Sequence, residues 1–118
     1  MLKRLNLKSN WELTYNNVMK ITKAKEFFSS FRTGIITGMS KNVIDSVVGF
    51  KGEKIKSGDG KVTIEWRFHV DGVPCAIWDY KGSAKYDQYS AYMPAYIGSA
   101  LFEAAYNPED DYKANPFN

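Results

Sequence analysis

Histidine and cysteine are the scarcest reactive residues in this sequence, since its 118 residues contain one histidine, His69, and one cysteine, Cys75. A single cysteine cannot form an internal disulfide, and such cysteine usage fits a reducing compartment. Zinc sites built from Cys and His ligands are excluded because they need several of these residues. The remaining question is whether His69 and Cys75 form a catalytic pair.

Long hydrophobic runs are also lacking. No stretch approaches the ~20 apolar residues of a membrane-spanning helix. The sequence MLKRLNLKSNWEL at the start contains no apolar segment of the kind found in secretion signals. We therefore expect a cytoplasmic protein without membrane contact. The lysine- and glycine-rich segment KGEKIKSGDGK contains neither GxxxxGK[ST] nor GxGxxG, the glycine motifs that hold nucleotide phosphates, so it does not predict a nucleotide site.

Charge and aromatic residues are unevenly distributed. Residues 1–61 contain twelve Lys or Arg against five Asp or Glu, a net +7, whereas residues 62–118 contain four against eight, a net −4. A basic half can attract phosphates or acidic partners, although a solvated lysine face is the ordinary explanation.

Eight Tyr, seven Phe and three Trp are numerous for a small core, and such side chains also dominate binding surfaces.

Three helices are predicted from apolar spacing and capping residues. The first covers residues 9–34, where apolar residues recur at spacings of three and four. The second follows a cap at Ser40 and ends at Gly49. The third begins at Pro94 and ends where residues 107–118 are expected to form a loose acidic tail.

The strongest strand signal surrounds Asp71-Gly72. The segment KVTIEWRFHV alternates between apolar and polar residues, VPCAIWDY offers a return strand, and Asp-Gly favours a two-residue type I′ turn. In the resulting register Cys75 lies among apolar residues, whereas His69 points to the opposite face. Pro74 marks its part of the return strand as an edge.

These elements predict one α+β domain over residues 1–118, in the order α-α-β-β-α. A small antiparallel sheet built on the β-hairpin is expected to carry the helices on one face. Because two strands alone are marginally stable, a third strand is expected from residues 33–36 or 86–92.

No arrangement of residues in the sequence predicts a catalytic site. A nucleophilic Cys–His pair needs a contact that the hairpin register forbids, and no GxSxG motif supports a Ser–His–Asp triad. An Asp-rich calcium loop is also missing. We therefore expect a non-enzymatic protein with no cofactor and no metal.

The polar face of the hairpin and the tyrosine-rich segment after it are the candidate binding surface. The residues predicted to bind are Glu65, Arg67, His69, Trp78, Tyr80, Lys81, Tyr86 and Tyr89. Trp, Tyr and Arg are frequent in binding hot spots. Two alternatives stay open: the last helix or the tyrosine-rich segment covers Trp78 and Tyr80, or these rings stack on bases while cations meet phosphate.

Residues 66–83, WRFHVDGVPCAIWDYKGS, resemble a stretch found in small accessory proteins of tailed bacteriophages. The resemblance covers about a sixth of the chain and carries over no catalytic residues. It implies a phage protein in the host cytoplasm that binds and inhibits or redirects a host or defence protein. This is the leading hypothesis. The alternative is a module that binds and sequesters a nucleotide or nucleic acid through the basic half with Trp78 and Tyr80. A homo-oligomer stays open under both hypotheses.

Overall fold

The computed structural model describes residues 19–56, 58 and 61–109, and the largest part of their regular structure is one antiparallel sheet of seven short strands. The strands are β1 (Ile21–Lys23), β2 (Gly34–Thr37), β3 (Glu53–Lys54), β4 (Ile64–Val70), β5 (Val73–Trp78), β6 (Gln88–Tyr92) and β7 (Tyr106–Pro108). The helices are α1 (Lys41–Val48) and α2 (Ala95–Phe102), with 3₁₀ turns at Ser83–Tyr86 and Glu103–Ala105.

The strand order is β1-β4-β5-β6-β2-β7, and β3 also pairs with β4. β1 and β3 lie beside different parts of β4, since Ile21 is opposite Val70 whereas Glu53 is opposite Glu65. The central hairpin of β4 and β5 is therefore extended beside β4 by strands from earlier in the chain, and beside β5 by β6, the next strand.

The predicted order α-α-β-β-α is wrong, because the described chain is mostly sheet. Residues 9–18 of the first predicted helix lie outside the described residues, but its remainder contains β1, an irregular segment (residues 24–32) and the start of β2. The apolar spacing of three and four fits a helix, but Ile21 instead belongs to a strand that pairs with β4, and Gly34 begins a strand that pairs with β6. Pairing with distant strands outweighs a local helical pattern here.

The second predicted helix is confirmed as α1. The Ser40 hydroxyl accepts a hydrogen bond from the Val43 N–H at 3.3 Å, which satisfies one of the free donors at the start of the helix. Gly49 ends the helix with a φ of 91°, a conformation that glycine adopts without a steric penalty.

The third predicted helix is shorter than expected. Pro94 precedes α2, which ends at Phe102 because Glu103 takes a φ of 53° and interrupts the helical path. Asn107 and Pro108, predicted to begin a loose tail, belong to β7 and pair with β2. Residues 110–118 of that tail lie outside the described residues.

One hydrophobic core joins the sheet to both helices. Its largest fully buried side chains are Trp66, Tyr89, Phe68, Phe102, Ile36, Ile44, Ile77, Ile97, Val70 and Cys75. Two glycines allow β7 to pack closely, since a Cβ atom would lie 2.5 Å from the Tyr106 hydroxyl at Gly34 and 2.6 Å from its ring at Gly98. Within residues 19–109, as far as they are described, no helix has the length and hydrophobicity needed to span a bilayer.

Candidate functional site

The hairpin register separates Cys75 from His69, as predicted. Phe68 is opposite Cys75 and His69 is opposite Pro74, so the thiol and the imidazole occupy opposite faces of the sheet. Cys75 is fully buried, and burial raises the pKa of its thiol to about 12. A thiol in this environment stays protonated and cannot act as the nucleophile of a Cys–His pair.

Tyr89 does not belong to the candidate binding surface, although the sequence placed it there. Its side chain is 1% exposed because β6 directs it into the core, where its ring lies 5.4 Å from the Trp66 ring. Burial raises the pKa of Tyr89, and the nearby charges of Asp79, Asp87 and Asp45 raise it further. Tyr89 is therefore a core residue with its hydroxyl held protonated.

The other seven predicted residues lie at the surface, in two groups. Glu65, Arg67, His69 and Trp78 are half-buried on the polar face of the hairpin. Tyr80, Lys81 and Tyr86 are exposed around the turn between β5 and β6. The sequence predicts one binding surface for all of them, but in the structure they are divided between a sheet face and an adjacent loop.

The polar face of the hairpin is partly covered by residues 24–32, which the sequence placed in a helix. The Arg67 guanidinium carbon lies 4.4 Å from the centre of the Phe27 ring and 5.0 Å from that of Phe28. Nη1 of Arg67 donates to the Phe28 carbonyl at 2.6 Å, and its Nε donates to Glu65 at 3.1 Å. His69 contacts the edge of the Phe28 ring. Arg67 therefore fixes this segment on the sheet.

This arrangement forms an aromatic strip, defined here as Phe27, Phe28, Phe31, Trp78 and Tyr92. The rings of Phe28 and Phe31 lie 6.5 and 5.2 Å from the ring of Tyr92. Tyr92 is opposite Ala76, two residues before Trp78 on the same face, so Trp78 is its diagonal neighbour. Phe27 is 76% exposed and Phe31 is 56% exposed, so the strip presents a substantial apolar area to solvent.

An apolar cleft of about 420 Å³ lies beside the strip, between β5 and the chain around Met93. Most of its wall is formed by proline and aromatic side chains. These are Pro74, Pro94, Pro108, Phe31, Tyr92 and Tyr106. Among the described residues no carboxylate, amine, imidazole or thiol group lines it. The Thr33 hydroxyl shapes one wall by bonding both the N–H and the carbonyl of Met93 at 3.0 Å.

The cleft borders an unpaired edge of β5. β6 pairs with β5 only from Ala76 to Trp78, so the described strands leave Val73, Pro74 and Cys75 without a neighbour on that side. Because Val70 and Val73 flank the two-residue turn as a hydrogen-bonded pair, the nitrogen of Pro74 faces this open side. Pro74 has no N–H to donate. The open edge is thus poorly suited to pairing with another strand.

At the far end of β5, the buried carboxylate of Asp79 fixes the loop that carries Tyr80 and Lys81. One of its oxygens accepts from the N–H groups of Thr63 and Ile64, both at 3.0 Å, and the other accepts from the Thr63 hydroxyl at 2.8 Å. Lys81 then takes a φ of 56°, which reverses the chain toward β6. This anchoring places Tyr80 and Lys81 at the surface in a defined position.

No protein-family model, curated protein or solved structure matches this chain. Within the described part of the chain, no group of three or more His, Cys, Asp or Glu side chains is arranged to hold a metal ion. The features of the described residues that indicate a function are the aromatic strip, the apolar cleft and the loop around Tyr80.

Proposed function

We propose that the protein is a non-enzymatic binding protein that recognises another protein through the aromatic strip and the apolar cleft. The observation that carries this proposal is the exposure of Phe27 and Phe31, at 76% and 56%, on a segment that Arg67 holds in one position. Large apolar side chains that stay exposed and ordered are typical of interaction sites.

The shape and chemistry of the cleft support insertion of an apolar side chain from the partner. Its volume of about 420 Å³ lies within the usual range for binding pockets. Since Pro74 leaves the adjacent β5 edge without an outward donor, strand addition is disfavoured. The partner would instead place a large aliphatic or aromatic side chain between Phe31 and Pro74, with Phe27 contacting the surface around it.

The resemblance of residues 66–83 to phage accessory proteins supports a bacterial protein as the partner, either a host component or a defence component. Binding would inhibit or redirect that component. The lining of the cleft supports a binding role over a catalytic one, since general acid–base chemistry needs a titratable group near the reacting atoms.

The test compares capture from bacterial lysate by the wild type, by Phe27→Ala/Phe31→Ala and by Tyr86→Ala. Tyr86 is 75% exposed, close to the 76% of Phe27, and lies outside the strip, so its variant is a matched control for loss of an exposed ring. Each captured protein is then purified and its Kd is measured against the three chains, after circular dichroism has shown that all are folded.

We expect one partner whose affinity falls by about tenfold or more in the double variant, as befits the loss of two hot-spot rings, and is unchanged in Tyr86→Ala. Trp78→Ala tests the other end of the strip and should weaken the binding of the same partner. Equal affinity of the double variant and the wild type for every captured protein would show that the strip is not the binding surface.

A further inference from the structure

Three described lysines without a carboxylate partner lie at one end of the sheet. Lys54, Lys81 and Lys85 are exposed and form none of the ion pairs in the described part of the chain. Lys54 and Lys85 line a cleft of about 510 Å³ together with Lys41. Lys41 is the member of this group that already contacts a carboxylate, that of Asp45, at 2.8 Å.

Backbone hydrogen bonds bring these lysines together from separate segments. The N–H of Lys81 donates to the Lys61 carbonyl at 2.7 Å, and the N–H of Ile55 donates to the Thr63 carbonyl at 3.1 Å. Residues 61–63 therefore lie between the strand that carries Lys54 and the turn that carries Lys81 and Lys85. Lys54 and Lys85 line the cleft of about 510 Å³, whereas Tyr80 and Lys81 line a neighbouring pocket, so a ligand that contacts all of them must extend across the turn between β5 and β6.

Two tyrosines occupy the same end, each beside a lysine ammonium group. Tyr80 is 38% exposed and Tyr86 is 75% exposed. The Nζ atom of Lys81 lies 5.4 Å from the centre of the Tyr80 ring, and that of Lys85 lies 5.8 Å from the centre of the Tyr86 ring. A planar group that stacks on either ring would thus have a cation within reach of any phosphate attached to it.

We propose that this lysine-rich end, defined as Lys54, Tyr80, Lys81, Lys85 and Tyr86, binds single-stranded nucleic acid. Lysine contacts to phosphates supply sequence-independent affinity, and exposed aromatic rings accept unpaired bases by stacking. Double-stranded nucleic acid lacks free base faces for these rings. The site shares no residue with the aromatic strip, so it stands independently of the proposed function.

Two carboxylates in the cleft affect this site differently. Asp79 is buried and engaged by three hydrogen bonds from Thr63 and Ile64, so it belongs to the scaffold. Asp87 is exposed at the surface of the cleft and would repel a phosphate bound between Lys54 and Lys85. Its φ of 55° is a conformation that asparagine also tolerates, so Asp87→Asn removes the charge without backbone strain.

The experiment measures fluorescence anisotropy of a labelled single-stranded DNA or RNA of about 12 nucleotides, within the size of one such site. A duplex of the same sequence and vesicles containing phosphatidylglycerol are tested in parallel. With three phosphate contacts, the slope of log K against log salt is about −2, or about a 20-fold loss between about 50 and about 200 mM salt. Asp87→Asn should tighten binding by about two- to fivefold at low salt.

Tyr86→Ala should weaken binding by about tenfold through lost stacking, whereas Tyr86→Phe should not. Lys85→Gln should lower the steepness of the salt slope by about 0.7. Tyr96→Ala is the matched control, because Tyr96 is a tyrosine on α2 that is 63% exposed and lies in neither proposed site, and it should bind as the wild type does. The proposal is overturned if no oligonucleotide binds at low salt, if Tyr86→Ala or Asp87→Asn leaves affinity unchanged, or if the vesicles bind and the single strands do not.

Discussion

Replacing Arg67 should release residues 24–32 from the sheet and remove the aromatic strip without unfolding the core. The Arg67 side chain is 15% exposed, so its contacts are largely shielded from water. It forms two contacts with aromatic rings and one hydrogen bond to the Phe28 carbonyl. Each ring contact contributes about 0.5–1 kcal/mol, and a hydrogen bond from a charged donor contributes about 1.5–3 kcal/mol.

The sum, about 2.5–5 kcal/mol, is the contribution of the Arg67 side chain to holding the segment closed, and its lower end corresponds to about a 100-fold change in the open population. Arg67→Met keeps most of the apolar stem and removes the charge and the donors. Trypsin cleavage after the exposed Lys25 measures the open population when reclosing is fast. We expect cleavage there to accelerate by about 100-fold in Arg67→Met, while cleavage after Lys51 stays unchanged.

Two further variants separate the causes. Arg67→Met leaves the Glu65 carboxylate, 19% exposed, without its partner, so Arg67→Met/Glu65→Gln removes that contribution. Arg67→Lys keeps the charge but lacks the planar group that stacks on two rings and bonds two acceptors, so it should be intermediate. Cleavage after Lys25 at the wild-type rate in Arg67→Met would refute the reasoning, and wild-type behaviour of Arg67→Lys would reduce the role of Arg67 to its charge.

Two other predictions concern the core. Burial raises the pKa of Asp45, but hydrogen bonds from Lys41, Gly52 and Trp66 lower it by more, so the pKa is lowered overall. The ionised carboxylate therefore stabilises the fold at neutral pH, and this stabilisation disappears as the pH falls below about 4. Asp45→Asn should cost about 1–2 kcal/mol in urea unfolding at pH 7 and show a weaker loss of stability in acid; an unchanged acid transition would contradict this. Because its pKa is raised, Cys75 should react with a thiol reagent at pH 8 about 1,000-fold more slowly than a free thiol. Cys75→Ser should lower the free energy of unfolding by about 1–3 kcal/mol. Rapid labelling that depends on His69 would contradict the buried position of the thiol.

The parts of the fold that the sequence predicts correctly depend on local chemistry. Asp71 and Gly72 both adopt positive φ, 50° and 84°, and this turn sets the whole register of β4 and β5. In the same way, Ser40 and Gly49 delimit α1 through contacts within a few residues. Such features follow from the side chains at the positions themselves.

The first predicted helix fails because its residues are stabilised by distant partners. β1 contains three residues and β2 four, too few to be recognised from alternation alone. Their pairing partners lie far along the chain, Ile21 with Val70 and Gly34 with Ala91. The expected third strand was confirmed in both candidate places, as β2 and as β6, but its pairing could not be derived from the sequence.

The sequence predicts the part of the candidate site that depends on the hairpin itself, but not the distant segment that packs on it. Arg67 and Trp78 were assigned to the correct hairpin face because strand alternation determines it. The cover over that face is missed because the segment that contains Phe27, Phe28 and Phe31 is predicted as part of a helix. The signal that could have found it is the segment KEFFSSF, where three phenylalanines accompany two serines, residues that favour turns over helix interiors.

The edges of the sheet explain why both proposed sites use side chains rather than backbone pairing. β1 is three residues long and flanked by Lys20, β7 ends in Pro108, and the open part of β5 contains Pro74. Short strands, lysines and prolines at edges all oppose the addition of a further strand. A partner that cannot extend the sheet must recognise exposed side chains instead. The described residues offer two such surfaces of different chemistry: an apolar strip that Arg67 holds in place, and a cationic end where tyrosines stand beside lysines.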